Sequence, residues 1–385
     1  MDILIVGNGF DLAHGLKTSY KDFLEYCEEQ NSKRIIGLIN YGTSFIDNIW
    51  LRHFITKKQE LGNTWIDLEQ EIYNVIQVVN NIINDMSDGN INVIFPMEFS
   101  FQKDILYFDF NKIIQYFKTT RRTYNVAKKG YQAFETNDFS SLYFYIGDYG
   151  GLINFLYDQL REFTKVFESY LRENVLLKLS NQSNYQLSLQ AIGVQPQNKE
   201  VYLLSFNYTD TCEKLYKQKF NTYCNSEIKP IYIHGKVCDN EKCNLILGTH
   251  SFDNKQIPSN LNMIPVIFNV FKKHNQRHRY GTIEAYQDFL KILTDKRRVI
   301  KPVFHVIGHS LDKTDHNILK HVFLANKNAV INIYFHNEEA QERLINNITD
   351  IIGEDEVMTK VRLIYQHDKE RGILIPKNSQ VAQSI

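Results

Sequence analysis

Residues 1–24 read MDILIVGNGFDLAHGLKTSYKDFL, and this stretch decides the fold. Ile3 to Val6 is a short run of Ile, Leu and Val, the composition of a strand buried on both faces. It runs directly into Gly7-Asn8-Gly9-Phe10-Asp11, and a helical pattern follows. Strand, Gly-x-Gly turn, helix is the geometry of a dinucleotide-binding loop. Its glycines let the backbone approach a phosphate, and its helix N-terminus offers unpaired N–H groups. The third glycine of that fingerprint would fall at position 12, which is Leu12; here it comes at Gly15. Two readings stay open, a phosphate loop or a tight turn of any α/β fold. Asn8 and Asp11 lie just past a buried strand end, where open α/β sheets bind ligands. Asp11 could instead cap the next helix.

Further apolar runs follow far downstream: VYLLSF (201–206), IYIHG (231–235), NLILG (244–248), PVFHVIG (302–308), INIYF (331–335, led by Val330) and VRLIY (361–365). Helical patterns follow several of them, starting near Asp210, near Asp315 and at Asn337. This alternation predicts a doubly wound, mostly parallel α/β sheet. From about residue 19 to 190 the pattern is mostly helical instead, with helices expected over Ser19–Glu29, Thr43–Lys57, Trp65–Met86 and Gly150–Leu179. The expected organisation is a core of residues 1–18 and 191–385, interrupted after its first strand by a helical insertion, residues 19–190. The polar stretch 182–200 is the expected re-entry linker.

Composition narrows the function classes. The chain has 385 residues and is 43% hydrophobic, enough for a sizeable core. Lys+Arg and Asp+Glu are both 44, so no global charge favours nucleic acid or a membrane surface. The apolar start is too short for a signal peptide, and no apolar run approaches the roughly 18 residues of a membrane span. Five scattered cysteines read as free thiols of a cytoplasmic protein.

Three more turns carry polar groups beyond apolar runs. Ser205-Phe206-Asn207-Tyr208-Thr209-Asp210-Thr211 follows the second, His234-Gly235 the third, and Gly308-His309-Ser310-Leu311-Asp312 a later one. An Asn amide can orient a sugar hydroxyl or a water, donating and accepting at once. A His can act as a general base near neutral pH. Gly308 permits close approach, and Ser310 can donate to a phosphate or ribose. Asp312 or Asp315 could cap the following helix. Position 312 is Asp, which disfavours a G-x-S-x-G nucleophile elbow. His14 lies close enough to the first turn to touch a ligand. Cys212 and His305 read as packing residues, and so does Trp65.

The alternatives draw on other segments. Basic, aromatic-interleaved stretches at 118–131 and 271–281 could bind nucleic acid, or could be solvated faces. Asp67 and Glu71, one turn apart with Glu69 between, could form a two-carboxylate site, or a cap and a solvated face. Cys238 and Cys243 have no second cysteine pair at ligand spacing, so no metal is expected.

GNGFDLAHGLKTSYKDFL resembles the opening of the AbiH family of bacteriophage abortive-infection proteins. WIDLEQEI, LSFNYTDT, IHGK, LILG and IGHSLDKTD resemble that family's motifs in the same order, so the resemblance spans residues 1 to about 366. More distantly, the motif order looks like the sirtuin-like, Rossmann-type NAD-binding fold, although the first turn departs from its Gly-Ala-Gly. The resemblance implies an anti-phage protein that binds NAD or a related nucleotide and hydrolyses it to arrest the infected cell. By motif, Asn207 and His234 take the catalytic positions, with Asp11 in support. Gly7, Asn8, Gly9, Phe10, Ser205, Thr209, Gly308 and Ser310 hold the nucleotide. NAD would be the substrate, a phage-derived signal the trigger, and a homo-oligomer the assembly. A nuclease or RNA-cleaving toxin and a non-catalytic nucleotide sensor are the competing classes.

Overall fold

The computed structural model describes residues 1–35, 48–62, 67–87, 133–135, 142–144, 149–179, 200–224, 227–237, 243–250, 268–295, 297 and 300–366. The chain divides into two units. Met1–Ser19, Phe167–His250 and Gln276–Ile385 form the first, and Tyr20–Val166 with Ser251–Asn275 form the second.

The first unit is built on a sheet that, among the described residues, has six strands: β1 (Asp2–Val6), β2 (Val201–Ser205), β3 (Ile228–Tyr232), β4 (Val303–Ile307), β5 (Val330–Phe335) and β6 (Val361–Tyr365). Their order is β3-β2-β1-β4-β5-β6, and every neighbouring pair is parallel. Strand addition therefore runs one way from β1 to β3 and the other way from β4 to β6. The α/β class and the parallel sheet expected from the apolar runs are both present.

The reason lies in the two-residue period of a strand. Ile3 and Ile5 point to one face, where they meet Phe304, Val306, Ile331 and Ile333 and the helices α8 (Ile283–Thr294), α9 (His316–Leu324) and α10 (Glu338–Ile352). Leu4 and Val6 point to the other face, with Leu203 and Ile307 and with Tyr216 and Phe220 of α6 (Thr211–Cys224). Ile3, Leu4, Ile5 and Val6 are fully buried, worth roughly 1.5–3 kcal/mol each. Covering helices on both faces explain why the strands read as unbroken apolar runs rather than alternating ones.

Two expected strands are corrected. The third strand ends at Tyr232, earlier than IYIHG suggested, so Ile233 and His234 sit in the turn beyond it. NLILG (244–248) joins no ladder. Its backbone is held by the Gln276 side chain, which accepts from Leu247 N at 3.1 Å and donates to Leu247 O at 2.9 Å. Leu245, Ile246 and Leu247 are buried, which accounts for the strand-like composition.

The second unit contains α2 (Tyr20–Ile35), α3 (Ile49–Glu60), α4 (Leu68–Ser87) and most of α5 (Tyr149–Tyr170). A short antiparallel ribbon, Ala133–Glu135 with Leu142–Phe144, adds strands to a region expected to be mostly helical. Its core is aromatic. Phe163 lies 5.4 Å from Phe23 and 5.1 Å from Phe54, ring to ring, and Trp50 Nε1 donates to Leu156 O at 2.8 Å. Helix starts follow side-chain caps. Asn48 Oδ1 accepts from Trp50 N and Leu51 N, and Asp67 Oδ1 accepts from Glu69 N and Gln70 N. Trp65, the 118–131 basic stretch and most of the expected linker lie outside the described residues.

Candidate functional site

Strand register brings the polar turns together. Val6 pairs with Ser205 and Ile307, and Ser205 with Tyr232, so β3, β2, β1 and β4 end in one row. The next residues continue the row, with Phe206 N donating to Val6 O and Ile233 N to Ser205 O, both at 2.9 Å. Four turns thus leave the sheet side by side.

The first and last of these turns interlock. Gly9 N donates to Gly308 O at 2.8 Å. A Cβ on Gly7 would meet His309 Cα at 2.7 Å, and one on Gly308 would meet Phe10 N at 2.1 Å; Gly308 also has φ +64. Backbone-to-backbone packing therefore requires glycine here. The amides of Gly7, Gly9 and Phe10 donate to Ile307 O, Gly308 O and Gly7 O, so these N–H groups are engaged within the protein. Phe10 is fully buried, its ring 4.5 Å from that of His14. Asn8 is exposed and accepts from Thr18 Oγ1.

Asp11, in the short helix α1 (Asn8–Ala13), is 1% exposed. Asn207 Nδ2 donates to its Oδ1 at 3.0 Å, Thr209 Oγ1 donates to its Oδ2, and Thr211 Oγ1 donates to Thr209 Oγ1 at 3.0 Å. Burial pushes the Asp11 carboxyl up from 3.8 to about 7, against the opposing pull of the donors from Thr209, Thr211 and Asn207. A carboxyl so placed changes charge near neutral pH. The Asn207–Asp11 bond also fixes the Asn207 amide. Its Nδ2 faces the carboxylate, which directs Oδ1 elsewhere, and Oδ1 is buried with no hydrogen-bond partner among the described residues. Asn207 is 5% exposed. An unsatisfied buried acceptor costs roughly 1–3 kcal/mol, so its persistence calls for a donor from a ligand or a water.

His234, just past β3, belongs to a second cluster. Its Nε2 lies 3.0 Å from Asp315 Oδ1, and Arg277 Nη2 lies 3.5 Å from its Nδ1. Arg277, in α7 (Lys273–Tyr280), donates from Nε to Ile233 O at 3.2 Å and lies 3.9 Å from Asp315 Oδ1. His309 Nε2 lies 3.7 Å from Asp315 Oδ2, and its Nδ1 accepts from Leu311 N at 2.9 Å. All four side chains are buried.

The β2 turn stands between the clusters. The Phe206 ring lies 5.6 Å from His234 and 4.4 Å from His309, and the Tyr208 ring lies 6.1 Å from His234. The residue between them, Asn207, turns to Asp11. Asp11, Asn207 and Thr209 are thus brought into one hydrogen-bonded group, while His234 joins Asp315, His309 and Arg277. Ser205 Oγ accepts from Asn207 N, and Ser310 Oγ donates to Asp312 Oδ2. His14 is fully buried between Phe10 O and Tyr216 Oη, and burial lowers its pKa to about 4, which keeps it neutral.

Asp315 and Arg277 are the participants the sequence reading did not assign. Neither Asp312 nor Asp315 makes a side-chain helix cap, although both sit at helix starts. Within the 271–281 basic stretch, Lys273 is buried and paired with Glu69, and Arg277 is engaged as above. Asp67 caps α4 and Glu71 contacts His53 at 3.2 Å, so the carboxylates of that helix have other commitments. His305 and Cys212 are buried packing residues; His305 bridges Asp2 and Tyr334.

Among the described residues, no helix is long and apolar enough to cross a membrane. No curated protein matches the chain. The family described as bacteriophage abortive infection AbiH matches residues 3–336, a span that contains all of β1 but Asp2, β2 to β5 and every residue of both clusters, and the chain belongs to that family.

Proposed function

We propose that this abortive-infection protein binds NAD or a related nucleotide through its ribose and hydrolyses the N-glycosidic bond. The observation that carries the reading is the buried, unpartnered Asn207 Oδ1 held against a carboxyl that titrates near 7. An acceptor beside an acid is what a sugar hydroxyl, donor and acceptor at once, can satisfy. The strand order adds support. It matches that of dinucleotide-binding sheets, whose ligands lie beyond the carboxyl ends where strand addition reverses, here between β1 and β4.

The fit is uneven, and it alters the role of the first turn. The amides of Gly7, Gly9 and Phe10 are occupied, so they do not suit a pyrophosphate cradle. The turn contributes through Asp11. In the reaction, water attacks the ribose carbon bonded to nicotinamide, that carbon–nitrogen bond breaks, and its electron pair leaves with the nicotinamide ring. The transition state resembles an oxocarbenium ion, as in glycoside hydrolysis. Asn207 positions the ribose hydroxyl, Asp11 in its charged form offsets the positive charge and takes the proton of the water, and His234 supports from the neighbouring cluster. The nuclease reading loses support because Lys273 and Arg277, two cations of the 271–281 stretch, are buried and engaged.

The test is incubation of purified protein with NAD, with nicotinamide and ADP-ribose followed by chromatography. Wild type is expected to form both products, and Asn207→Ala and His234→Ala to form neither. Absence of product from wild type, with and without phage lysate as trigger, would overturn hydrolysis.

A further inference from the structure

We infer that Asp315 is the positioning carboxylate for His234: it holds the imidazole as the Nε2–H tautomer, with Nδ1 turned to the Arg277 guanidinium. The argument starts from His309. The backbone N–H of Leu311 donates to His309 Nδ1 at 2.9 Å, so the His309 proton sits on Nε2, the nitrogen that faces Asp315 Oδ2 at 3.7 Å. Leu311 itself adopts φ +59 while fully buried. A left-handed leucine costs roughly 1–2 kcal/mol, strain of the kind found where geometry serves a site. The other oxygen, Oδ1, lies 3.0 Å from His234 Nε2. On the far side of that ring, Arg277 Nη2 points a donor toward Nδ1 at 3.5 Å. A proton on Nδ1 would oppose the guanidinium, and a bare Nε2 would oppose the carboxylate. Both neighbours select the same tautomer.

The local sequence would have used Asp315 differently. Asp at a helix start ordinarily caps it, yet the Asp315 side chain makes no cap bond to α9. Its two oxygens face two imidazoles instead, 3.0 Å from His234 Nε2 and 3.7 Å from His309 Nε2. A local rule set aside in a buried charged cluster, beside strained backbone, is the pattern of a functional arrangement. Arg277 is fixed by its Nε bond to Ile233 O, the residue before His234, so ring and guanidinium share one anchor.

Asp315→Asn separates positioning from packing. An amide offers an acceptor oxygen to one imidazole and presents its own N–H to the other, whereas the carboxylate offers an oxygen to each. His309 is pinned by Leu311, so the conflict falls on His234. Replacing His309 as well, in Asp315→Asn/His309→Phe, removes the competing donor and lets the amide oxygen face His234.

The experiment reads the His234 ring nitrogens by 15N–1H correlation NMR, assigned against His234→Gln, and steady-state NAD cleavage in parallel. Its kinetic half rests on the hydrolase reading; its spectroscopic half does not. Wild type is expected to show a protonated Nε2 and a bare Nδ1. Asp315→Asn is expected to lose that signature and to drop kcat about a hundredfold, as misplacement of a group at the reacting centre does, with KM nearly unchanged. The double variant is expected to regain the signature. A wild-type His234 protonated on Nδ1 would overturn the inference. So would an Asp315→Asn protein whose kcat survives a changed tautomer. If wild type does not cleave NAD, the hydrolase reading fails, and the wild-type and Asp315→Asn spectra alone decide what Asp315 does.

Discussion

Asp11→Asn tests the energetics of the candidate site without any ligand. In the folded protein burial raises the Asp11 carboxyl from 3.8 to about 7. The folded chain therefore holds a proton, between pH about 4 and pH 7, that the unfolded chain has released. Stability from this group is fully present below pH ~4 and is lost as pH rises through 7. The displacement, about three pKa units at about 1.4 kcal/mol each, sets the loss at ~4 kcal/mol by pH 8. Asparagine mimics the protonated acid. Its oxygen can accept from Asn207 Nδ2 as the carboxylate does, and its NH₂ can donate to Thr209 Oγ1, reversing the bond that the hydroxyl now donates. The substitution should raise stability at pH 8, by up to about 4 kcal/mol, and change little at pH 4. Urea unfolding of wild type and variant at pH 4, 6 and 8 reads this directly. A variant that keeps the wild-type pH slope, or that is less stable at pH 8, would refute the reasoning. The same variant should lose nucleotide cleavage, because a neutral amide cannot offset positive charge on the ribose; gain of stability with loss of activity is the mark of a site maintained at a cost.

Two further substitutions probe the scaffold. Gly308→Ala places a Cβ 2.1 Å from Phe10 N at φ +64, and should cost on the order of 4 kcal/mol or more and abolish soluble expression; a well-folded Gly308→Ala protein by thermal unfolding would show that the interlocked turns yield. Lys273→Met removes the cation paired with the buried Glu69. It should destabilise by about 3–5 kcal/mol, with much of that recovered in Lys273→Met/Glu69→Gln, as judged by denaturation midpoints.

Much of this arrangement was legible as pattern. The apolar runs identified β1, β2, β4 and β5 because strands covered on both faces need apolar residues, and the Val, Ile and Tyr of VRLIY identified the half-exposed edge strand β6. Polar residues directly after those runs pointed to Asp11, Asn207 and Thr209, and register then joined them. What escaped were long-range commitments. Arg277 looks like one cation of a basic stretch, and nothing local indicates that its guanidinium is buried against Ile233 O. Asp315 looks like a helix cap. NLILG has a strand's composition because burial, which sets composition, is the same whether a backbone is held by a ladder or by Gln276. The glycines misled in a subtler way. Gly7 and Gly9 do mark a close approach, but the nearest atoms are those of Gly308 and His309.

The most direct test of the account is calorimetric binding of ADP-ribose and of its counterpart lacking the hydroxyls on the ribose that bears nicotinamide in NAD, to wild type and to Asn207→Ala. If Asn207 Oδ1 receives a ribose hydroxyl, wild type binds ADP-ribose at least about tenfold more tightly than the counterpart, the value of one well-made hydrogen bond, and the difference disappears in Asn207→Ala. Equal affinity of wild type for both compounds, or no binding of either, would contradict it.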